Sequence, residues 1–587
     1  MRTISAFLLG LLGLTAVLGS GLADIPPSSL VIEGDQALLG LGLPGSGTLT
    51  SPFVLTLDDP TLAVSLNHLT LHLSIQGSTF HQLSTLNISH GHLKVLNSRI
   101  GVVHLVHSPG TLVRNSTLHS PTTALVVVKS DHVRVSNCSF SNAFVGMEVV
   151  DSSSGQVVDS TFGSTSQGIV SRNSSLSISQ CSFTLNQVAL LASLGSNLST
   201  SDSLFHHNQG DVYVADQSFA TFWSNSFTGS LEIEFASATF RSNSFTDSQV
   251  TFFQSFSLVL TDNTFSGGVV QVLAGVDDLL SNNSFNDTPL ILRSTSNVSV
   301  DTNQWVFSTT ATGLGLTDSS GVINDNSFTN SGVGVLDGLF SPHAYQFNDN
   351  RVNSLRLGFF TDLNSTVVSE PFGQLILLTS TNITISNQSI HSTAPAAVQV
   401  LDSTEVTVGR SSFANNLLGL SLTNTTVGEV SYNNFTGQVG YAVALARSSN
   451  ITLHHNSFDG NNLSGVQVLD EGVNNTWHFR GEGNYWSDLS GRASYPTDGS
   501  AGSVDVHPLL VPSSAPPSKS LVELPSSTMT TAPLTNTTDT NEEGEGGEEG
   551  LDSLWMAPTV LGSVLFMAAL GLVVLIKGFS FSFKIGR

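Results

Sequence analysis

A short motif recurs along most of this chain: a small polar residue, any residue, then Phe or an aliphatic side chain. It is clear at Phe140, Phe162, Phe183, Phe205, Phe227, Phe245, Phe265, Phe285, Trp305 and Phe328, and again at Phe413, Phe435 and Phe458. Weaker copies stand at Phe80, Ile100 and Leu118, and in the gap at Val352 and Ile390. Neighbouring clear copies are 18 to 23 residues apart. A period of this size marks a solenoid, in which each repeat buries its apolar face only against its neighbours. Segments between copies, such as Ala124 to Lys129 and Val133 to Val135, are β-branched runs of period two bounded by Asn, Ser and Gly. They read as strands. Two or three strands per turn of roughly 22 residues give an all-β fold, a parallel β-helix.

Coils of such a fold stack at about 4.8 Å, so equivalent residues form columns. A Phe column fills the interior with rings, which accounts for 34 Phe against 6 Tyr, since a buried phenol needs a partner. Two residues before each Phe runs a second column: Cys138, Ser160, Cys181, Ser203, Asn225, Asn243, Asn263, Asn283, Asn303 and Asn326. Its amides are expected to bond to one another and to turn backbone. Charge does not suit buried columns, and only 11% of residues are charged. The 2 Cys of the chain fall in this column two coils apart. At about 9–10 Å they are too far apart for a disulfide, and they read as small buried thiols.

The two ends differ from the repeats. Residues 1–23 have the form of a secretory signal peptide: Arg2, an apolar run from Ala6 to Leu18, then small Gly21 and Ala23 before the cleavage point. Residues 24–510 carry the β-helix ectodomain, with a capping segment at 477–510. Residues 511–552 are rich in Ser, Thr and Pro and then acidic, the composition of a stalk without a core. Residues 553–576 hold the uncharged run Leu554 to Ile576, long enough for a single transmembrane helix. A short basic tail, 577–587, follows. Positive residues stay cytoplasmic, so the expected topology is type I in the plasma membrane or a secretory-pathway membrane, with the bulk extracellular or luminal. A GPI-anchor signal is the rival reading, and the basic end argues against it. All 44 acids lie between Asp24 and Asp552, against 19 Lys plus Arg in the whole chain. So acidic an exported surface excludes nucleic-acid binding.

After the last repeat come Gly483-Asn484-Tyr485-Trp486-Ser487-Asp488 and then Asp505-Val506-His507-Pro508-Leu509. These resemble the closing segment of the NosD-type right-handed parallel β-helix family, whose coils are described as carbohydrate-binding and sugar-hydrolase repeats. That family has an Asp-x-Tyr-Pro-Leu block, in which His507 here replaces Tyr, and a longer Asp/Gly-rich segment than Tyr495 to Gly499. The resemblance implies a right-handed, pectin-lyase-like β-helix with a cap. An open last coil would present strand edges that invite pairing, and Tyr485 with Trp486 is expected to cover the last Phe layer. Functions in the family range from accessory factors of copper-enzyme maturation to surface-layer and carbohydrate-related proteins, so fold alone assigns none of them.

Candidate chemistry is sparse. The column just before the Asn column reads Asp262, Asn282, Thr302, Asp325 and Asp349. Asp325 and Asp349 are expected on adjacent coils, at a spacing that fits a retaining glycosidase pair or oxygen ligands for calcium. The competing reading is acids on solvent-facing turns. The doublets His206-His207 and His454-His455 suggest copper only by family analogy, because two adjacent His rarely share a metal without further ligands. No other cofactor is indicated. Phosphate loops, Cys-x-x-Cys and a Ser nucleophile elbow are absent from the sequence.

The chain has 17 Asn-x-Ser/Thr sequons. Asn87, Asn115, Asn137, Asn173, Asn364, Asn382, Asn424 and Asn450 are the expected glycosylation sites. The expectation drawn from all this is a cell-surface, single-pass membrane glycoprotein whose β-helix binds glycans or a surface protein. The alternative is a membrane-anchored carbohydrate-active enzyme, a polysaccharide hydrolase, lyase or epimerase, using acids near Asp325 and Asp349.

Overall fold

The computed structural model describes residues 29–335, 344–463 and 465–513. The signal-peptide, membrane-span and tail segments expected from sequence, and the stalk after residue 513, lie outside the described residues. Among those described, no helix is long and apolar enough to cross a membrane.

The repeats form a β-solenoid of about 19 turns. Each turn lays its strands on those of the next in parallel, so one stacked position becomes one ladder. The Phe ladder runs as its period predicts. Phe80 pairs with Ile100, Ile100 with Leu118 and Leu118 with Phe140. The clear copies follow through Phe328, which pairs with Val352. Rings from Phe140 to Phe328 stack face to face, for example 4.5 Å between the centroids of Phe140 and Phe162 and 4.7 Å between Trp305 and Phe328. All are buried. Removing rings of this size from water supplies about 2–3 kcal/mol apiece.

The polar column does what buried amides require. From Asn225 to Asn326, each backbone N–H donates to the Oδ1 of the Asn one coil on, ending at Asn350, at 2.9–3.1 Å. The Nδ2 of the same residues donates to that oxygen as well. Upstream, Ser and Cys hold the column, with the Cys138 N–H donating to Ser160 Oγ and the Cys181 N–H to Ser203 Oγ. Both Cys are free and buried, one coil apart from a shared neighbour, Ser160. Burial pushes both thiols up to about 11, which keeps them protonated and unreactive.

The solenoid is not one uninterrupted stack. After Val352 the residues Asn353 and Ser354, both with positive φ, turn the chain back, and Val352 pairs antiparallel with Leu355. A second stack then starts at the strand Leu355–Thr361 and carries its own aromatic ladder, Ile390, Phe413, Phe435 and Phe458. Each stack has its own apolar core. They meet at the strand Gln374–Leu378, which sends Leu375 and Leu377 into the second core and Ile376 and Leu378 into the first. Gln374 Oε1 accepts from the Val333 N–H and its Nε2 donates to Val333 O and Ala396 O, all at 2.9 Å. Gln399 Nε2 donates to the same Val333 carbonyl.

The ends of the two stacks are closed differently. At the N-terminal end the helix Gly34–Gly40 buries Leu38, while Asp35 accepts from the N–H groups of Thr70 and Leu71. At the C-terminal end Trp486 stacks on Phe458 at 4.3 Å, and Tyr495 stacks on Trp486 at 3.9 Å. The partner of Trp486 is therefore Tyr495. Tyr485, expected in that role, is only half-buried and lies beside Leu509, because alternation on the short strand Tyr485–Trp486 lets one of its two rings point inward. Asp505 anchors the cap. It accepts from the N–H of Asn484, the Nε1 of Trp486 and the N–H of His507, at 2.8, 2.9 and 3.0 Å. A Cβ on Gly483 would meet Asp505 Oδ1 at 2.0 Å, so that position has no room for a side chain.

Candidate functional site

Asp325 and Asp349 stand on adjacent coils, as their register requires: Ser327 pairs with Arg351, and the Asp325 N–H donates to Asn348 O. Both occupy exposed turn positions with φ near +50°. Among the described residues, no group of three or more His, Cys, Asp or Glu side chains is arranged to hold a metal ion. The rings of His206 and His207 lie 3.7 Å apart. His454 and His455 form a chain of contacts: His454 Nε2 is 3.3 Å from Glu429 Oε1, the two Nδ1 atoms are 2.7 Å apart, and His455 Nε2 is 2.7 Å from Glu482 Oε2. All four ring nitrogens are thereby engaged. Burial holds His454 below the usual imidazole range. The eight expected glycosylation asparagines are all exposed.

The region that departs most from the bland surface of the solenoid was not foreseen from sequence. Along the corner between the strands of the 35-stranded sheet and those of the 15-stranded sheet, five successive coils present apolar side chains to solvent. These are Leu194, Phe219, Phe235, Phe256 and Val276, between 39% and 58% exposed. Trp223, 59% exposed, extends the strip onto the neighbouring face. Alternation explains its origin. In the strand Phe219–Trp223, Ala220 and Phe222 point inward, which leaves Phe219, Thr221 and Trp223 outside. Phe235 occupies the turn position held elsewhere by Asp216 and Gln254, with φ +49°, a conformation that a bulky side chain rarely adopts. The strip could have been found only by noticing aromatics out of phase with the inward Phe column.

Acids border this corner. Asp216 is exposed on the same turn column. On the adjoining strand Ser230–Glu234, Leu231 and Ile233 point inward and Glu232 and Glu234 outward. Tyr213, paired with Glu232 across the ladder, donates its hydroxyl to Glu234 Oε2 at 2.8 Å. Burial and the neighbouring Glu234 carboxylate push Glu232 up to about 7, and burial with the same carboxylate pushes the Tyr213 hydroxyl up. Two carboxyls therefore sit side by side with one proton held near neutrality. Asp277 closes the far end, accepting from Asn297 Nδ2 at 2.6 Å. The base nearest the strip on the neighbouring face is Arg241, paired across the ladder with Trp223.

Comparison with known proteins agrees with the coils. Residues 101–232 match the right-handed beta helix region family, and residues 360–491 match the family described as periplasmic copper-binding protein (NosD). The second match spans the second stack and ends within its cap. Its histidines do not fit a copper centre, because copper sites draw on several convergent nitrogen or sulfur ligands and the ring nitrogens of His454 and His455 face each other and two glutamates. No curated protein matches the chain. Among solved structures, ORF18 of Geobacillus virus E2 is similar at a TM-score of 0.24 and 8% identity, over 48% of this chain and 62% of its own length. The PL6 family alginate lyase AlyGC is similar at 0.21 and 10%, over 78% and 100%. PfbA, a surface adhesin of Streptococcus pneumoniae, is similar at 0.18 and 10%, over 68% and 93%. The strands stack in parallel from coil to coil and both family matches fall inside them, so the fold of the chain is a parallel β-helix.

Proposed function

We propose that this protein is a binding module displayed at a cell surface, a single-pass membrane glycoprotein whose solenoid holds a glycan or a partner protein against one corner of its first stack. The observation that carries this reading is the exposed strip Leu194, Phe219, Phe235, Phe256 and Val276 with Trp223 beside it. Large apolar side chains exposed on five successive coils of an otherwise Ser-, Thr- and Asn-lined rod cost solubility and mark an interaction site. The signal peptide, stalk and membrane span read from the sequence support surface display, and the exposed sequons support glycosylation. Binding of the full-length protein to a glycan array and to a library of surface-protein ectodomains, with and without calcium, tests the reading. Loss of the bound species in a Phe219→Ser, Phe235→Ser variant supports it. Unchanged binding in that variant refutes the assignment to this corner.

A second reading, a carbohydrate-active enzyme, is favoured by one observation. Glu232, held near a pKa of about 7 beside Tyr213 and Glu234, has the protonation behaviour a general acid needs. Release of reducing ends or of unsaturated uronates from polysaccharides, abolished in Glu232→Gln, would establish it. Asp325 and Asp349 remain the alternative acids, and Asp325→Asn would then be the inactivating change.

A further inference from the structure

From the corner strip we infer the chemistry of its partner: a protein segment that alternates apolar side chains with lysine or arginine. This rests on the reading of the strip as a binding site and deepens it. Three observations select that partner over a neutral glycan. The strip is built from Leu194, Val276 and three Phe rings, none of which offers a hydrogen bond to a sugar hydroxyl. Leucine and valine gain nothing from a polar ring, whereas they pack readily against apolar protein side chains. The strip also runs along the rod, one residue to a coil on either side of the turn. Five coils at a spacing of about 4.8 Å give roughly 20 Å, the reach of an extended segment of about six residues.

Charge supplies the third observation. Asp216, Glu232, Glu234 and Asp277 lie along the strip, against Arg241 beside Trp223, and Arg172, paired with Glu148, and Arg293 one coil beyond its two ends. Glu232 and Glu234 point outward from the same strand, with Tyr213 bonded to Glu234. A guanidinium or ammonium arriving there would meet a pair of carboxyls, favour the release of the proton they share, and lie against the faces of exposed rings. Such a site combines ion pairing with cation–π contact. Apolar contact along the strip gives affinity, and the acids select a basic partner over an acidic one.

The experiment uses the full-length protein in lipid nanodiscs and three probes: a short peptide of alternating Leu and Lys, one of alternating Leu and Glu, and a neutral N-acetylglucosamine hexamer. The Lys peptide is expected to bind at least about tenfold more tightly than the Glu peptide, and to weaken several-fold between low and physiological salt. Phe219→Ser with Phe235→Ser should weaken it about tenfold or more, the size expected for aromatic anchors. Glu232→Gln with Glu234→Gln should weaken the Lys peptide about fivefold and erase its preference over the Glu peptide. Retention of the melting temperature shows that these exposed substitutions leave the fold intact. Equal binding of the two peptides overturns the inference. Binding of the hexamer alone, lost in the double Phe variant, also overturns it but leaves the binding-module reading standing. If no probe responds to the double Phe variant, both fall.

Discussion

The two stacks of this solenoid are built from the same kind of coil and are finished in opposite ways. The second stack ends on a dedicated cap: Trp486 and Tyr495 extend the ring column, and Asp505 gathers three donors beneath them. The first stack, after Phe328 and Val352, ends on no such motif. It is closed by the flank of the second stack, where Ile376, Leu378 and Leu401 complete its core and Gln374 and Gln399 satisfy the backbone of Val333. An open coil must be covered. The cap does this with a local sequence signature, and the junction does it with residues whose sequence pattern is simply that of a strand buried on both sides. A continuous apolar run, Leu375 to Leu378, is the trace it leaves.

The comparison breaks most visibly at the cap. Asp505→Ala leaves the N–H groups of Asn484 and His507 and the Trp486 indole unpaired in the interior. The expected cost is about 4 kcal/mol, the scale of removing a buried charged acceptor. Hydrogen exchange should then rise across 443–490 while the first stack keeps its protection. Equal loss in both stacks would mean that they unfold as one cooperative unit. Gln374→Ala acts at the other closure, removing three hydrogen bonds to Val333 and Ala396. It should cost about 3 kcal/mol and raise exchange first at Val333–Val335. A Gln374→Ala protein that exchanges first at its cap would overturn the assignment of this residue to the junction.

What could be read in the sequence follows from the same contrast. Columns that repeat a residue type at a fixed period are legible, so Phe140 to Phe328 and Asn225 to Asn326 stand out from their spacing alone. So does a cap written as six consecutive residues. The junction is invisible because the turn that reverses the chain, Asn353-Ser354, uses the positive-φ asparagine and serine that also make the ordinary corners, such as Asn137 and Ser224. The corner strip is invisible for a related reason. Phe219 and Phe235 are the same residue type as the inward column, and only the phase of each strand tells them apart. For Asp325 and Asp349 the adjacency was legible, because register sets it. Whether chemistry converges there depends on neighbours from other ladders, which one-dimensional spacing does not record.

Within the polar column of the first stack, the Ser and Asn sections offer a finer comparison. Asn283 accepts from the N–H and Nδ2 of Asn263 and donates to Leu260 O and Asn303 Oδ1. Ser160 accepts from the Cys138 N–H and donates to Val158 O. Asn283→Ala should therefore cost about 2 kcal/mol and Ser160→Ala about 1 kcal/mol by chemical denaturation. Equal costs would show that the second pair of amide contacts adds nothing to the first.

The smallest effect concerns two buried acids, one in each stack. In the second stack Asp470 accepts from the Gly472 N–H and Asn475 Nδ2 on one oxygen and from the Trp477 indole on the other, and Asp505 is similarly satisfied. In the first stack Asp278 accepts from the Leu258 N–H at 3.0 Å, while its Oδ2 has no hydrogen-bond partner. Burial pushes this carboxyl up to about 7, with the exposed Asp277 beside it adding to the shift. The sign follows. The folded chain holds a proton that the unfolded chain gives up near the ordinary carboxyl range, so stability is full below about pH 4 and is lost as pH rises toward 7. Coils around Leu258 and Leu279 should exchange several-fold faster at about pH 8 than at about pH 5, after correction for intrinsic rates, and those around Asp470 should not. Asp278→Asn keeps the Leu258 acceptor without a charge. It should abolish the difference and raise the melting temperature by about 2–4 °C at the higher pH only. A first stack whose protection is flat with pH in the unmodified protein would mean that Asp278 finds a partner in water and is satisfied as well as Asp470.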